Sequence, residues 1–426
     1  MSSSQLTASQ VSADQPSATQ LTTSQLTATL AEVYAHGPGK DVRPASARPY
    51  RRRPTGPAVS FGELAAVAGP TGARLVRTLG TALAPRRFEP WNGFNEHRAY
   101  PSPRAAHLVD VLLRHDGVDW LVDPVRELLY PTSAESPVAA PDGAVELVLR
   151  EQPTRMPAGY GRLAEALAAL EAGHVAGALA EAAAGHGLRY AAGTTASATA
   201  TATCGPWLTV TLGPSTAPTW SRHRLRAVRS SGLSPRGFGA DPRPLPAEAF
   251  ERLVAAAYRP PAGSPVTGVR LRHTLAVGNV ADRAAGWYRL DPAATGRGGA
   301  AAPQPTRPGD ATGQVQRAYS YPRTEVDVAG MPLAWLVSAD VPAAVRVGGP
   351  AAYRRLLHAA GAAAQHVGTA AAEVGLFCRP VRAVREAAAE AAAGLPAGHD
   401  LIYLLLIGRS RVRDFAYDLS NPEVSP

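Results

Sequence analysis

The stretch AAGAAAQHVGTAAAEVGL at residues 359–376 decides the fold, because a related stretch, EAGHVAGALAEAAAGHGL, occurs earlier at residues 171–188. Gly361 follows Gly173 by 188 positions, and Gly375 follows Gly187 by the same interval. Each stretch is rich in alanine and closes with a glycine. This pattern predicts a helix that stops at the closing glycine.

An apolar run closed by glycine follows each of these helices. The runs are WLTVTLG at residues 207–213 and LIYLLLIG at residues 401–408. Runs of this length with β-branched or aromatic residues are typical of strands buried on both faces. The chain is therefore predicted to contain two related units, each with a buried helix and a central strand.

The 426 residues are enough for two domains of ordinary size. A Ser/Thr/Gln-rich background predicts a disordered tail over residues 1–45. The first unit is predicted over residues 46–215, the second over residues 216–415, and a short tail over residues 416–426. Within the units, we expect the helix at residues 161–188 to break near Gly173, and residues 293–315 to form a surface loop.

Composition argues against several classes of function. The net charge is +9, from 43 basic and 34 acidic residues, but the arginines are scattered, so nucleic-acid binding is not expected. Cys204 and Cys378 are too few for a disulfide framework or a zinc site, and the histidines form no helix-spaced metal pair. Neither a signal peptide nor a membrane span is recognisable, so we expect a cytoplasmic protein without a membrane partner.

Several landmarks in a shared order resemble the nitroreductase-fold flavoproteins, and among them the SagB-type azoline dehydrogenases. The motif YGR at residues 160–162 precedes EAGH at residues 171–174, and Gln365 follows Gly361 by four positions, as in that family. The resemblance covers roughly residues 58–411 as tandem halves. It implies an α+β fold with mostly antiparallel sheets flanked by helices, and an intramolecular pseudo-dimer.

The same resemblance implies FMN as the cofactor, held between the two halves. In the family, a Ser-x-Arg-x-Phe element and basic residues after the last strand come from one subunit, and a Pro-Ser element comes from the other. Here only the second half has the first set, and the first half has the better Pro-Ser element, which implies one FMN per chain. The implied cofactor residues are Arg98, Pro101, Ser102, Arg104, Ser234, Arg236, Gln365, Arg409 and Arg411.

The chemistry of FMN suits these residue types. Guanidinium groups can bind a phosphate through paired hydrogen bonds, and the isoalloxazine ring needs a largely apolar slot. Taken singly, each arginine is more typical of an ordinary surface charge than of a cofactor contact. Their combined placement favours a cofactor site.

The resemblance implies oxidation of azolines to thiazoles or oxazoles in a ribosomally made peptide such as a thiopeptide. A modified precursor peptide would be the substrate, and a cyclodehydratase complex is a candidate partner. The reaction needs a base for the α-proton, for which Tyr160 is the candidate, although it could equally pack at a helix start. The lysine that precedes this tyrosine in the family is replaced by Gly159.

Two alternatives remain open at this point. The first is a catalytically silent nitroreductase-like scaffold that binds a precursor peptide or a cyclodehydratase. The second is a generic flavin-dependent nitroreductase.

Overall fold

The structure is a computed structural model and describes residues 22–34, 57–90, 94, 96–115, 118–132, 145–195, 207–214, 238–258, 269–290, 302–411 and 417–419. The described helices are α1 (Thr23–Tyr34), α2 (Phe61–Val67), α3 (Gly69–Leu83), α4 (Leu163–Gly185), α5 (Ala247–Tyr258), α6 (Ala311–Ala318), α7 (Val341–Glu373) and α8 (Glu386–Ala393). The described strands are β1 (Val59–Ser60), β2 (Arg87–Phe88), β3 (Glu96–His97), β4 (Val109–His115), β5 (Val118–Asp123), β6 (Leu128–Pro131), β7 (Val145–Glu151), β8 (Leu188–Thr195), β9 (Trp207–Pro214), β10 (Arg272–Val277), β11 (Gly286–Leu290), β12 (Gln304–Pro308), β13 (Leu333–Asp340), β14 (Phe377–Val381), β15 (His399–Gly408) and β16 (Tyr417–Asp418).

Two large antiparallel sheets organise the chain. The first has the order β1-β6-β5-β4-β7-β9-β8, and the second has the order β12-β11-β10-β13-β15-β14. Apart from the two-residue strand β1, the two orders correspond strand by strand. The predicted α+β fold with antiparallel sheets and flanking helices is confirmed, and the matching orders are consistent with a duplicated fold. Below, the described residues up to 214 are called the first half and those from 238 onward the second half.

Helices α4 and α7 cross between the two sheets, and this contact is here called the seam. A Cβ atom on Gly173 would lie 2.1 Å from the carbonyl oxygen of His358, and one on Gly361 would lie 2.0 Å from that of Leu170. His358 follows Leu170 by 188 residues, so the two contacts are reciprocal. The geometry is that of a local two-fold axis through the seam.

The predicted break of the first long helix near Gly173 is wrong, because α4 runs without interruption from Leu163 to Gly185. Gly173 is needed for the close approach of α7 and not for a turn in its own backbone. By length and composition α4 could also cross a membrane, but 83% of its most apolar window is buried inside the protein. Such burial is typical of the core helix of a soluble protein.

Both predicted closing strands form, but their burial differs. Every residue of β15 from Leu401 to Gly408 is buried, because α7 covers one face and α8 contacts the other. In β9, Val210 and Leu212 are buried whereas Thr211 is exposed. The expectation of burial on both faces is therefore correct for β15 and wrong for β9.

Two segments differ from the predicted loops and tails. Thr23–Tyr34, inside the predicted disordered tail, forms α1, because Leu26 and Leu30 lie one helical turn apart and pack against the core of the second half. Within the predicted loop of residues 293–315, the described part forms β12 and the start of α6. The side chain of Asp310 caps α6 by accepting a hydrogen bond from the backbone nitrogen of Gly313 at 2.8 Å.

Candidate functional site

The loop at residues 98–107, here called the serine loop, connects β3 to β4 at the seam. Three of its non-glycine residues have positive φ angles: Arg104 at 54°, Ala105 at 50° and His107 at 48°. Such angles are uncommon for residues with a Cβ atom and persist only where surrounding contacts hold them. This concentration of strained backbone marks the serine loop as a candidate site.

Contacts from both halves hold the serine loop in place. From the second half, Nε2 of Gln365 donates a hydrogen bond to the carbonyl oxygen of Ala99 at 2.9 Å. From the first half, Nη1 of Arg155 donates to the carbonyl oxygen of His107 at 2.7 Å. The conformation of the loop therefore depends on the packing of α7 against α4.

Ser102 connects the serine loop to helix α4. Its hydroxyl donates to Oε2 of Glu171 at 2.8 Å and accepts from the backbone nitrogen of His107 at 2.8 Å. Glu171 is 1% exposed, and its Oε1 atom has no hydrogen-bond partner among the described residues. Burial raises the pKa of Glu171 to about 7, and the hydrogen bond from Ser102 opposes this rise only in part.

Arg98, one of the implied cofactor residues, lies inside the protein with 3% of its surface exposed. Its guanidinium donates to Oε1 of Glu96 at 2.8 Å and to the hydroxyl of Tyr100 at 3.2 Å. Burial acts to raise the pKa of Glu96, but the hydrogen bond from His107 and the charge of Arg98 hold it below its usual range. The observed contacts of Arg98 therefore brace the base of the serine loop.

A chain of buried polar side chains crosses the seam. Nδ1 of His174 lies 3.2 Å from Oε1 of Gln365, and its Nε2 lies 3.2 Å from the hydroxyl of Tyr403. Nε2 of Gln365 donates to Ala99 and to the hydroxyl of Thr369, so its Oε1 is the acceptor and His174 donates through Nδ1. Burial lowers the pKa of His174 to about 3, so the ring is neutral and accepts from Tyr403.

This series of buried polar side chains continues from Gln365 to Glu181 of the first half. The hydroxyl of Thr369 donates to Oε2 of Glu181 at 2.8 Å, and Nδ1 of His366 lies 2.9 Å from Oε1 of the same carboxylate. Gln365 itself is fully buried. Its amide thus ties the serine loop to side chains from both halves.

Tyr160, the predicted catalytic residue, ends the three-ten turn Ala158–Tyr160 just before α4 and is half-buried. Its hydroxyl lies 3.5 Å from Nη1 of Arg104. The same guanidinium lies 5.0 Å from the ring centroid of Phe94 and 5.9 Å from that of Tyr160. The structure thus brings together Tyr160 and Arg104, which are 56 residues apart in sequence.

The two basic residues predicted to bind phosphate, Arg409 and Arg411, lie directly beyond β15. Arg409 is half-buried and Arg411 is exposed. Between them, Ser410 forms an isolated antiparallel bridge with Ala240. The end of β15 and the segment near Ala240 therefore run side by side.

Ser234 and Arg236 lie outside the described residues, but Phe238, the third member of their motif, is described. Its ring packs edge-on against Phe377 with centroids 4.8 Å apart, and the guanidinium of Arg379 lies 4.6 Å from its centroid. Phe238 is therefore anchored on β14, the neighbour of β15 in the sheet.

Sequence reasoning missed two features of the seam. One is the buried Glu171 with its unpartnered oxygen; the other is Glu151, which lies 2.6 Å from Arg354 and 2.9 Å from His358 across the seam. The partners of Glu151 are more than 200 residues away in sequence, so no local pattern could reveal them.

Among the described residues, no group of three or more His, Cys, Asp or Glu side chains could hold a metal ion.

Comparison with known proteins gives a family match over part of the chain and a similar fold over most of it. Residues 234–409 match the Nitroreductase family. The whole chain is similar to a protein assigned as a nitroreductase from Anabaena variabilis ATCC 29413, with 15% identity over 85% of this chain and 94% of that one and a TM-score of 0.66. No curated protein matches the sequence.

Two further structures match only part of the chain. One is the McbBCD microcin synthetase complex of E. coli with truncated pro-MccB17 bound, at 18% identity over 44% of this chain and 71% of that one, with a TM-score of 0.34. The other is an FMN-dependent nitroreductase of Clostridium difficile R20291, at 12% identity over 43% and 88%, with a TM-score of 0.25. The similarity to the Anabaena variabilis protein shows a nitroreductase-like fold, and residues 234–409 match the Nitroreductase family.

Proposed function

We propose that this chain is an FMN-dependent oxidoreductase that oxidises azolines to azoles in a ribosomally made, modified peptide. The observation that carries the proposal is the contact between Arg104 and Tyr160 beside the strained serine loop. This contact connects Tyr160, which can transfer a proton, with the serine loop, which is expected to contact the cofactor. The nitroreductase-like fold and the motifs shared with SagB-type dehydrogenases support the same reading.

FMN would be held by residues from both halves. The phosphate would be held by Arg409 and Arg411, together with Ser234 and Arg236 of the same half. The ring would lie against Pro101 and Ser102, which are half-buried and therefore within reach of a ligand. Ser102 is in turn hydrogen-bonded to Oε2 of the buried Glu171, whose Oε1 has no partner among the described residues.

Azoline oxidation removes a proton from the α-carbon and a hydride from the neighbouring carbon. Bound FMN would supply the hydride acceptor. Tyr160 would relay the α-proton to solvent, and Arg104 would orient the phenol oxygen by donating to it. Gln365 is fully buried, so it would act through the serine loop and not by touching the ring.

The test begins with the purified chain and added FMN. We expect one flavin per polypeptide, measured by absorbance after denaturation, and loss of two hydrogens per ring when an azoline-containing peptide is supplied, measured by mass spectrometry. A chain that binds no FMN contradicts the whole proposal. A chain that binds FMN and reduces small nitroaromatics but leaves azolines unchanged favours the generic nitroreductase.

The silent scaffold is the second candidate, and Gly159 favours it. A lysine in this position would stand beside Tyr160, whereas glycine supplies no side chain at the start of α4. Binding of the precursor peptide or a cyclodehydratase by a colourless, flavin-free chain would support this candidate.

A further inference from the structure

Glu171 is the most unusual titratable group at the seam. It is 1% exposed, and its carboxyl group is hydrogen-bonded to the hydroxyl of Ser102 at 2.8 Å and to the backbone at Leu108. Its Oε1 is buried and lacks a partner among the described residues. An ionised carboxylate with one buried oxygen left without a donor is costly, so this environment favours a carboxyl group that holds its proton.

The charges that face Glu171 come from several elements. Arg98 in the serine loop and Arg155 in the turn before α4 favour its ionised form, as does the backbone hydrogen bond at Leu108. Tyr403 on β15 faces it from the second half, and the backbone of His107 contacts its partner Ser102. Burial outweighs these influences and raises the pKa of Glu171 to about 7.

The hydroxyl of Ser102 has one donor hydrogen and two acceptor lone pairs. One lone pair accepts from the backbone of His107. If Glu171 is ionised, the hydrogen of Ser102 is engaged by the carboxylate, and Ser102 can only accept a hydrogen bond from a ligand. If Glu171 is protonated, its own O–H can donate to Ser102, and the hydrogen of Ser102 is free to turn towards a ligand.

We propose that Glu171 is a positioning residue whose protonation state determines whether Ser102 donates to or accepts from the bound cofactor. The inference rests on the proposed function, because it takes FMN as the ligand of the serine loop. FMN carries both carbonyl oxygens and an N–H on one edge of its ring, so a change from donor to acceptor alters its environment. Glu171 itself touches Ser102 and not the ligand.

Two readouts test the inference on the full chain. The first is the infrared carboxyl band of the flavin-free protein from about pH 5 to about pH 9, taken as the difference between wild type and Glu171→Gln. We expect a protonated carboxyl that disappears with a midpoint near the raised pKa, and a higher midpoint in Ser102→Ala, because Ser102 stabilises the carboxylate. The second is the visible absorbance of bound FMN over the same range, which should shift with the same midpoint and should not shift in Glu171→Gln.

The matched control is Glu165→Gln, which removes an exposed carboxylate from the same helix and should leave both transitions unchanged. A Glu171 midpoint at the ordinary value for glutamic acid overturns the inference. So does a flavin transition that persists in Glu171→Gln. If the chain takes up no FMN, the proposed function fails and the inference with it, and the infrared midpoint still shows separately whether Glu171 holds its proton.

Discussion

Gly173 of α4 and Gly361 of α7 face each other across the seam, and a Cβ atom built on Gly361 would lie 3.1 Å from Cα of Gly173. The same Cβ atom would lie 2.0 Å from the carbonyl oxygen of Leu170. Because both obstacles are backbone atoms, no side-chain rotation can relieve the collision. The two helices can approach this closely only while both positions lack a side chain.

The first prediction concerns this contact. Gly361→Ala should lower the free energy of unfolding by about 3 kcal/mol or more, because the helices must move apart and open the packing around them. Thermal or denaturant unfolding measures the effect. The control is Gly80→Ala in α3, where no atom lies within 4 Å and alanine should stabilise the helix by up to about 1 kcal/mol. Equal stabilities of wild type and Gly361→Ala would contradict the described crossing.

The second prediction concerns the ion pairs of Glu151. Burial acts to raise its pKa, but His358 and Arg354 hold it below the usual range. Glu151→Gln should therefore destabilise the chain by roughly 3 kcal/mol at neutral pH, since it leaves a partly buried guanidinium without its carboxylate. Because the folded pKa is depressed, this difference should be present above the unfolded value of about 4.5 and shrink as the pH falls below it.

A matched control for Glu151→Gln is Arg323→Ala, which breaks an exposed pair with Asp327. Its effect on unfolding free energy should stay below about 0.5 kcal/mol. A cost for Glu151→Gln as small as this would show that the pairs across the seam contribute little.

The third prediction is the pH dependence of stability due to Glu171. Burial raises the pKa of Glu171 from its ordinary value of 4.5 to about 7 in the folded protein, so the free energy of unfolding of the wild type should fall as the pH rises from about 4.5 through about 7. Glu171→Gln removes this pH-dependent contribution to the free energy of unfolding, which amounts to roughly 3 kcal/mol. Compared with wild type, the variant should therefore gain unfolding free energy from about pH 4.5 to about pH 8. A difference that does not change with pH would contradict the assignment.

The fourth prediction tests Tyr160 as the proton-handling residue. Tyr160→Phe should slow azoline oxidation by about a hundredfold or more while FMN remains bound, because the ring stays and only the hydroxyl is lost. The readouts are peptide turnover and flavin per chain. Tyr321→Phe, which alters an exposed tyrosine of the second half, is the control and should retain wild-type turnover. Unimpaired turnover in Tyr160→Phe would remove Tyr160 from the catalytic list.

The fifth prediction tests phosphate binding. Arg409→Ala should weaken FMN binding by about tenfold to a hundredfold, the loss expected for a charge-assisted contact. Arg236→Ala should do the same. Fluorescence titration with FMN measures both, and Arg126→Ala is the control because this exposed arginine of the first half pairs with Asp123. Unchanged affinity in Arg409→Ala and Arg236→Ala would place the phosphate elsewhere.

The repeated helix and the strands that follow it were predictable from sequence because their signals are local. Alanine-rich periodicity, a closing glycine and a short apolar run report on neighbours a few residues apart. The same local reading misjudged Gly173, since a glycine inside a helix can mark either a break or a close contact. Only the position of His358 on the other helix distinguishes the two cases.

The burial and the hydrogen-bond partners of Glu171 and Arg98 were not predictable from local sequence patterns. Glu171 is part of a recognisable motif, but its burial and its unpartnered oxygen depend on the path of the serine loop 69 residues earlier. Arg98 was expected to bind the cofactor because of its place beside Pro101. Its observed contacts with Glu96 and Tyr100 follow from burial, which the local sequence does not report.

Positions 188 residues apart lie across from each other at the seam, as Gly177 and Gln365 do. A Cβ atom on Gly177 would lie 2.9 Å from Cβ of Gln365, so the glutamine fits only because its counterpart is glycine. In an assembly of two identical subunits, any substitution on such an axis occurs on both sides at once, and a pair of glutamines would collide. When the two halves belong to one chain, the two positions can carry different residues. A large side chain such as Gln365 is then tolerated in one half because the other half has glycine at the corresponding position.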